Sequence, residues 1–155
     1  MNPLRANIRQ YQKQDKAAVV ELLRLNTPQY FSKEEEKDLI FYLENEIEAY
    51  FVVEWEGKIV GCGGINFPHE KTTAFISWDI IHPHYQGNGL GALLLKYRIL
   101  LLKTQKEVTK IVVRTSQHTH LFYQKGGFRL TEVIVDYWAL GFDLYKMEYE
   151  ERQRK

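Results

Sequence analysis

The stretch Ile80-Ile81-His82-Pro83-His84-Tyr85-Gln86-Gly87-Asn88-Gly89-Leu90-Gly91 passes from an apolar pair through a short polar loop and a glycine cluster into a leucine-rich run. If that run is a helix, its first turn offers unpaired backbone N–H groups and the positive end of the helix dipole. Both favour an anion. Glycines at 87, 89 and 91 remove side chains that would keep a phosphate from those amides, and Asn88 is of a type that caps helices. The chemistry suggested is the holding of a phosphate-bearing ligand, against the alternative of a glycine-rich turn with no ligand. Two familiar phosphate motifs fit poorly. Gly87-x-Gly89-x-x-Ala92 has dinucleotide-loop spacing, but five residues, His82 to Gln86, separate it from the strand, and the next strand ends in Arg114-Thr115 rather than an acid. A Walker loop needs Gly-Lys-Ser/Thr, which the chain lacks.

His82-x-His84 and His118-x-His120 raise the question of a metal. Pro83 interrupts the first pair, and residues i and i+2 near a helix start face different ways. They read as polar loop residues, and no metal is expected. Glu34, Glu35, Glu36, Asp38, Glu44, Glu46 and Glu48 crowd one region. They form either a solvated helix face or an acidic rim that attracts a cationic amine.

The elements that must position these groups follow from pattern. Asn7 to Tyr11 reads as a first strand; Asp15 as an N-cap; Val19, Val20, Leu22 and Leu23 as the apolar face of a helix to about Asn26, ended by Pro28. Ser32 and Glu35 have capping-box spacing before a second helix, Lys33 to Asn45. Tyr50–Trp55 and Lys58–Phe67 are strands joined by a Glu56-Gly57 hairpin turn, and Thr72–Ile81 is a third. Alternation along that third strand places Asp79 with Ser77 and Ile81, opposite Trp78 and Ile80. A helix over Leu90–Lys103, a strand over Lys110–Thr115, a short helix over His118–Lys125 closed by Gly126-Gly127, and strands over Phe128–Val135 and Phe142–Tyr149 complete the chain. Residues 1–155 form one domain, a mixed sheet with helices on both faces, of α/β class and α+β type. Gly61, Gly63 and Gly64 mark a bulge or a close backbone approach around Cys62, which reads as a buried inert thiol.

Composition narrows the partners. With 21 Lys and Arg against 20 Asp and Glu, the net charge of +1 gives no field for nucleic acid or an anionic membrane. No apolar run approaches the roughly 20 residues of a membrane span. A single cysteine and a polar N-terminus point to a reducing, cytoplasmic setting. The abundant aromatics allow a homodimer.

Gln86-x-x-Gly89-x-Gly91 resembles the Gln/Arg-x-x-Gly-x-Gly/Ala signature of the GNAT superfamily of acyl-CoA N-acyltransferases. Ile81-His82-Pro83 resembles the strand end before that signature. Leu121-Phe122-Tyr123-Gln124-Lys125-Gly126-Gly127-Phe128 resembles the family's Phe-Tyr-x-x-x-Gly-Phe segment. The order of elements extends the likeness over nearly the whole chain.

The resemblance implies a mostly antiparallel sheet with one splayed parallel strand pair, and acetyl-CoA as acyl donor with no metal. It implies that Gln86, Gly87, Asn88, Gly89, Leu90 and Gly91 hold the pyrophosphate through backbone amides. Ile80 and Ile81 would contact the pantetheine arm or acyl group, with the Ile81 amide on the thioester oxygen, where developing oxyanion charge makes a donor most valuable. Tyr123 falls at the position of the family's general-acid tyrosine, and a phenol stays protonated at neutral pH and can donate; taken without the resemblance it reads as a packing group beside Phe122 and Phe128. The base departs from the family's glutamate: Asp79 is the one acid on the preceding strand, with Glu44, Glu46, Glu48 or a water chain as other candidates. The function implied is acetyl transfer to a small-molecule or peptide amine by direct attack. The alternatives are an acyl-CoA-binding sensor without catalysis and a purely structural interaction domain.

Overall fold

The Glu56-Gly57 turn forms as its residue types predict. Both residues take positive φ, 50° and 79°, matching the right-handed twist of the strands they join. Those strands are β2 (Ala49–Trp55) and β3 (Lys58–Asn66), which pair antiparallel. A computed structural model describes residues 5–150. The other strands are β1 (Asn7–Gln10), β4 (Thr73–Ile81), β5 (Lys110–Thr115), β6 (Phe128–Ala139) and β7 (Phe142–Tyr149), and the helices are α1 (Lys16–Leu25), α2 (Glu35–Asn45), α3 (Leu90–Lys103) and α4 (His120–Lys125). The sheet order is β1-β2-β3-β4-β5-β7-β6, with β4–β5 the one parallel pair among the described residues.

Continuous apolar runs in β2 and β3 follow from burial on both faces. Tyr50 and Val52 pack with Val19, Leu22, Leu23, Leu39 and Leu43 under α1 and α2. Phe51 and Val53 pack with Leu94, Leu95, Leu102 and Tyr123 under α3 and α4. The apolar residues left exposed concentrate on the edge strand β6 and the turn after it, notably Val135 and Leu140.

Three local expectations are corrected. Asp15 does not cap α1. It closes a 3-10 turn over Lys13–Asp15, and its carboxylate accepts from the Gln12 N–H at 2.8 Å and from the Arg9 guanidinium. The competing charge of Arg9 draws the side chain away from α1. Asn88 does not cap α3; Gly89 does, at φ 83°, because only a residue free of Cβ strain takes that turn readily. The Asn88 amide instead donates to the Tyr85 and Gln86 carbonyls and braces the loop. Helix α2 starts at Glu35 rather than Lys33, with the Ser32 N–H donating to the Glu35 carboxylate at 2.7 Å.

The fourth correction concerns β4. Gly61 faces Ile81 and Cys62 faces Ile80, but Gly64 already faces Ser77, so Trp78 and Asp79 together oppose Gly63. Trp78 carries φ 49°, an unusual angle for a bulky side chain. The bulge exchanges the faces of the strand. Ala74 and Ile76 point toward α3, Trp78 and Ile80 toward α1 and α2, and Asp79 returns to the α3 side. Simple alternation therefore fails for Ser77, whose hydroxyl lies with Tyr42 of α2, opposite Asp79. A Cβ on Gly63 would fall 2.2 Å from Asp79 Oδ1 and 2.8 Å from Arg98 Nη1. Gly63→Ala is expected to lower stability by about 1–3 kcal/mol, the usual range for overpacking. An unchanged thermal midpoint would show that this contact does not constrain the strand.

Candidate active site

Strands β4 and β5 pair only from Thr73–Lys110 to Ile76–Val113. Beyond the bulge they separate, and a cleft of about 980 Å³ opens between them. Its walls include Ser77–Ile81 from β4, Val113–Thr115 from β5, Gly91, Leu94 and Arg98 from α3, and Phe122 and Tyr123 from α4. The His82 N–H bonds across to Val60 of β3 at 2.8 Å. Backbone alternation therefore turns the neighbouring Ile81 N–H toward the opening. Ile80 meets the cleft too, although its side chain is anchored in the core below α1 and α2.

At one end stands the glycine loop. Leu93 is the first residue of α3 whose N–H finds an acceptor at the helix start, Gly89 O at 2.9 Å, so the amides of Leu90, Gly91 and Ala92 have no partner within the helix. Gly87 and Gly89 hold left-handed turns at φ 78° and 83°, and nothing lies within 4 Å of a Cβ built on Gly87. The role of Gly91 differs from the one read in the sequence. A Cβ there would meet the Phe122 ring at 3.2 Å, so this glycine lets α3 and α4 pack closely. Leu90 itself is buried. Gln86 donates to Ile81 O and to Asn26 Oδ1, both at 2.9 Å, and Asn26 in turn donates to Ile81 O at 3.1 Å. Free amides in a positively polarised turn, beside an open strand gap, fit the diphosphate and arm of coenzyme A.

In mid-cleft, Asp79 bridges two groups. Its Oδ1 meets Arg98 Nη1 at 2.5 Å and its Oδ2 accepts from the Tyr123 hydroxyl at 2.6 Å. Burial first, and then the Asp79 charge, push the Tyr123 phenol well above its ordinary pKa, so it stays protonated at neutral pH. The two residues proposed for chemistry thus touch each other.

The other end of the cleft is aromatic and acidic. Phe31 and Tyr42 flank Trp78, and Trp138 and Phe142 close the side nearest β5. Glu35, Glu46 and Glu48 line it, whereas Glu44 faces outward to Lys16 at 3.3 Å and Glu36 to Arg24. The acidic cluster therefore divides between a solvated face and the cleft. Glu48 also accepts from the Phe67 N–H at 3.0 Å. The histidines stay apart in role: His82 accepts from the His84 N–H, His120 contacts Gln117 O, and His118 packs on Phe142. Among the described residues no three His, Cys, Asp or Glu side chains gather as a metal set.

The model of the acetyltransferase (GNAT) family matches residues 16–128. The chain belongs to that family. An amino-acid acetyltransferase of Pasteurella multocida (strain Pm70) is 31% identical over 91 residues, 59% of this chain and 20% of that protein. The chain spans about one-fifth of the length of the curated relatives it matches. The ribosomal-protein-S18-alanine N-acetyltransferase from Escherichia coli superposes with a TM-score of 0.77 at 18% identity, covering 97% of this chain and 96% of that one. N-acetylglutamate synthase from Neisseria gonorrhoeae, complexed with coenzyme A and N-acetyl-glutamate, gives 0.73 at 20% identity, covering 96% of this chain and 35% of that one. The GNAT fold is thereby shared over almost the whole chain.

Two residues of this GNAT site escape a reading by motif. Arg98 follows Leu90 and Leu94 at intervals of four, with Leu102 next, so helical spacing already places it on the buried face of α3. Asn26 reads as a helix end, yet it also ties α1 to the cleft end of β4.

Burial raises the pKa of Glu35 at the acidic end of the cleft, and the Ser32 N–H only partly offsets it. The folded state thus prefers the neutral acid. Its contribution is full below the ordinary carboxylate pKa and is lost as pH rises through the folded value. Glu35→Gln, neutral throughout, should gain thermal stability relative to the wild type as pH rises above the ordinary carboxylate pKa of about 4.3. A stability difference independent of pH would contradict this.

Proposed function

We propose that the chain is an N-acetyltransferase that moves the acetyl group of acetyl-CoA onto a primary amine by direct attack. The observation that carries the reading is one continuous cleft bordered at one end by Gln86 and Gly91 of the glycine loop, with a buried phenol in the middle and carboxylates with aromatic rings at the other end. The loop from Gln86 to Gly91, with Ala92, would hold the diphosphate through backbone N–H groups. The Ile81 N–H would donate to the thioester oxygen as it takes on charge, with Ile80 beside the acyl group.

The acceptor's ammonium first gives one proton to solvent water; the neutral amine then attacks the thioester carbon, the C–N bond forms, and the C–S pair leaves on sulfur. Tyr123 is the candidate donor of the proton that sulfur needs, and its raised pKa keeps that proton available. Asp79 is the candidate base. Glu46 and Glu48, with the Trp78 ring in the same cleft, favour an acceptor that arrives as a cation. A small-molecule amine suits a cleft of this size, and the amino-acid acetyltransferase relatives make an amino acid one candidate. A supply of acetyl-CoA and a buried free thiol suit the cytoplasm.

Acetyl-CoA with a panel of L-glutamate, spermidine and an alanine-initiated peptide should release free thiol above the hydrolysis rate with at least one acceptor. Tyr123→Phe should lower kcat by about 100-fold, a usual contribution of one acid–base group, while acetyl-CoA affinity stays within about threefold. A variant with wild-type kcat would remove Tyr123 from the chemistry.

A further inference from the structure

Each oxygen of Asp79 has its own partner. Arg98 takes Oδ1 and the Tyr123 hydroxyl donates to Oδ2. The phenol proton therefore points at the carboxylate, and the remaining lone pair of the phenol oxygen is free to accept. A tyrosine held this way can receive a proton from the cleft only as it passes its own to Asp79. It can give one to sulfur only when Asp79 returns it. Because burial and Asp79 disfavour a phenolate, the two transfers are coupled rather than stepwise.

Arg98 fixes this geometry. It has no exposed surface, its Nε donates to Leu94 O at 3.2 Å, and its Nη1 also donates to Gly64 O at 3.1 Å. The planar guanidinium is thus held by the helix below and by β3 beside it before it meets Asp79. Gly63 leaves just enough room for that meeting.

We propose that Asp79 is the proton acceptor of the transfer and acts through the Tyr123 phenol, with Arg98 as the residue that positions the pair. This rests on the acetyltransferase reading above. As the C–N bond forms, the ammonium proton of the adduct moves to Tyr123 Oη while the phenol proton moves to Asp79 Oδ2. As the C–S bond breaks and its electron pair goes to sulfur, Asp79 returns a proton to Tyr123 and the phenol protonates the thiolate. The proton that leaves nitrogen ends on sulfur, and all three side chains return to their starting states.

The test compares wild type, Asp79→Asn combined with Arg98→Met, and Arg98→Lys. The double variant removes both charges together, so no ion is left buried without its partner. It keeps an oxygen that accepts from Tyr123 but cannot take its proton. With the panel acceptor that the wild type uses fastest, its kcat should fall at least about 100-fold while acetyl-CoA affinity by calorimetry stays within about threefold. Arg98→Lys, which keeps the charge but loses the fork, should lower kcat at unchanged acetyl-CoA affinity. Independently of turnover, protein labelled with ¹³C at tyrosine Cζ should show the Tyr123 line, identified by its loss in Tyr123→Phe, shifted in the double variant. A double variant with kcat within about threefold of wild type, or an unmoved Tyr123 line, overturns the relay. Wild-type kcat in Arg98→Lys overturns the positioning role. No turnover by the wild type with any panel acceptor overturns the transferase reading itself, and the relay falls with it.

Discussion

The two-against-one pairing of Trp78 and Asp79 with Gly63 is the constraint on which the site depends. Without it, β4 would keep a single alternation and Asp79 would sit with Ser77 under α2, away from α3. With it, the strand changes faces within one residue. Trp78 turns to the aromatic end of the cleft and Asp79 to Arg98 and Tyr123. Pairing with β5 ends just before, at Ile76 and Val113, so the strand end that carries Ile80 and Ile81 leaves its neighbour. One local irregularity thus aims the carboxylate and marks where the cleft opens.

The bulge is held from both sides by interactions that are costly to break. Arg98 is wholly buried, and a buried guanidinium is tolerated only with a counter-charge and hydrogen bonds. Asp79 provides the charge, and Gly64 O and Leu94 O take further N–H groups. Removing one member of such a pair commonly costs about 3–5 kcal/mol, more than a surface ion pair provides. Two neighbouring glycines make the contact possible. A side chain on Gly63 would overlap Asp79, and one on Gly64 would overlap the Tyr50 ring, at 2.5 Å from its Cδ1. The glycine run of β3 is thus explained by close approach to β4, α3 and β2 rather than by a ligand.

Much of the fold was legible because it rests on local signals. The Leu90–Lys103 helix, the Glu56-Gly57 turn and the order of strands follow from periodicity and turn chemistry. The placement of the Gln86–Gly91 loop before α3 and of Tyr123 on α4 was legible because their residue types and spacing follow the strand-to-helix and short-helix patterns of the sequence. The facing of Asp79 was only half legible. Its partner Ile81 was placed correctly, but Ser77 was not, because a bulge depends on what the neighbouring strand presents at one position. Asn88 and Asp15 failed as caps for a related reason. Each side chain found a stronger local partner, the loop carbonyls in one case and Arg9 in the other. Arg98 lay hidden in a leucine-rich helix, where a single arginine usually reads as exposed. Its spacing with Leu94 and Leu102 carried the correct answer.

The central claim is that the gap between β4 and β5, with the amides before and within the first turn of α3, holds acetyl-CoA. Calorimetric titration with acetyl-CoA of the wild type and of Gly89→Glu tests it most directly. Gly89 combines a left-handed backbone with a place beside the free amides, so glutamate there adds both strain and a negative charge. The account predicts saturable one-to-one binding to the wild type and none measurable to a folded Gly89→Glu protein. Equal affinity in the two proteins, or no binding by the wild type, would contradict it.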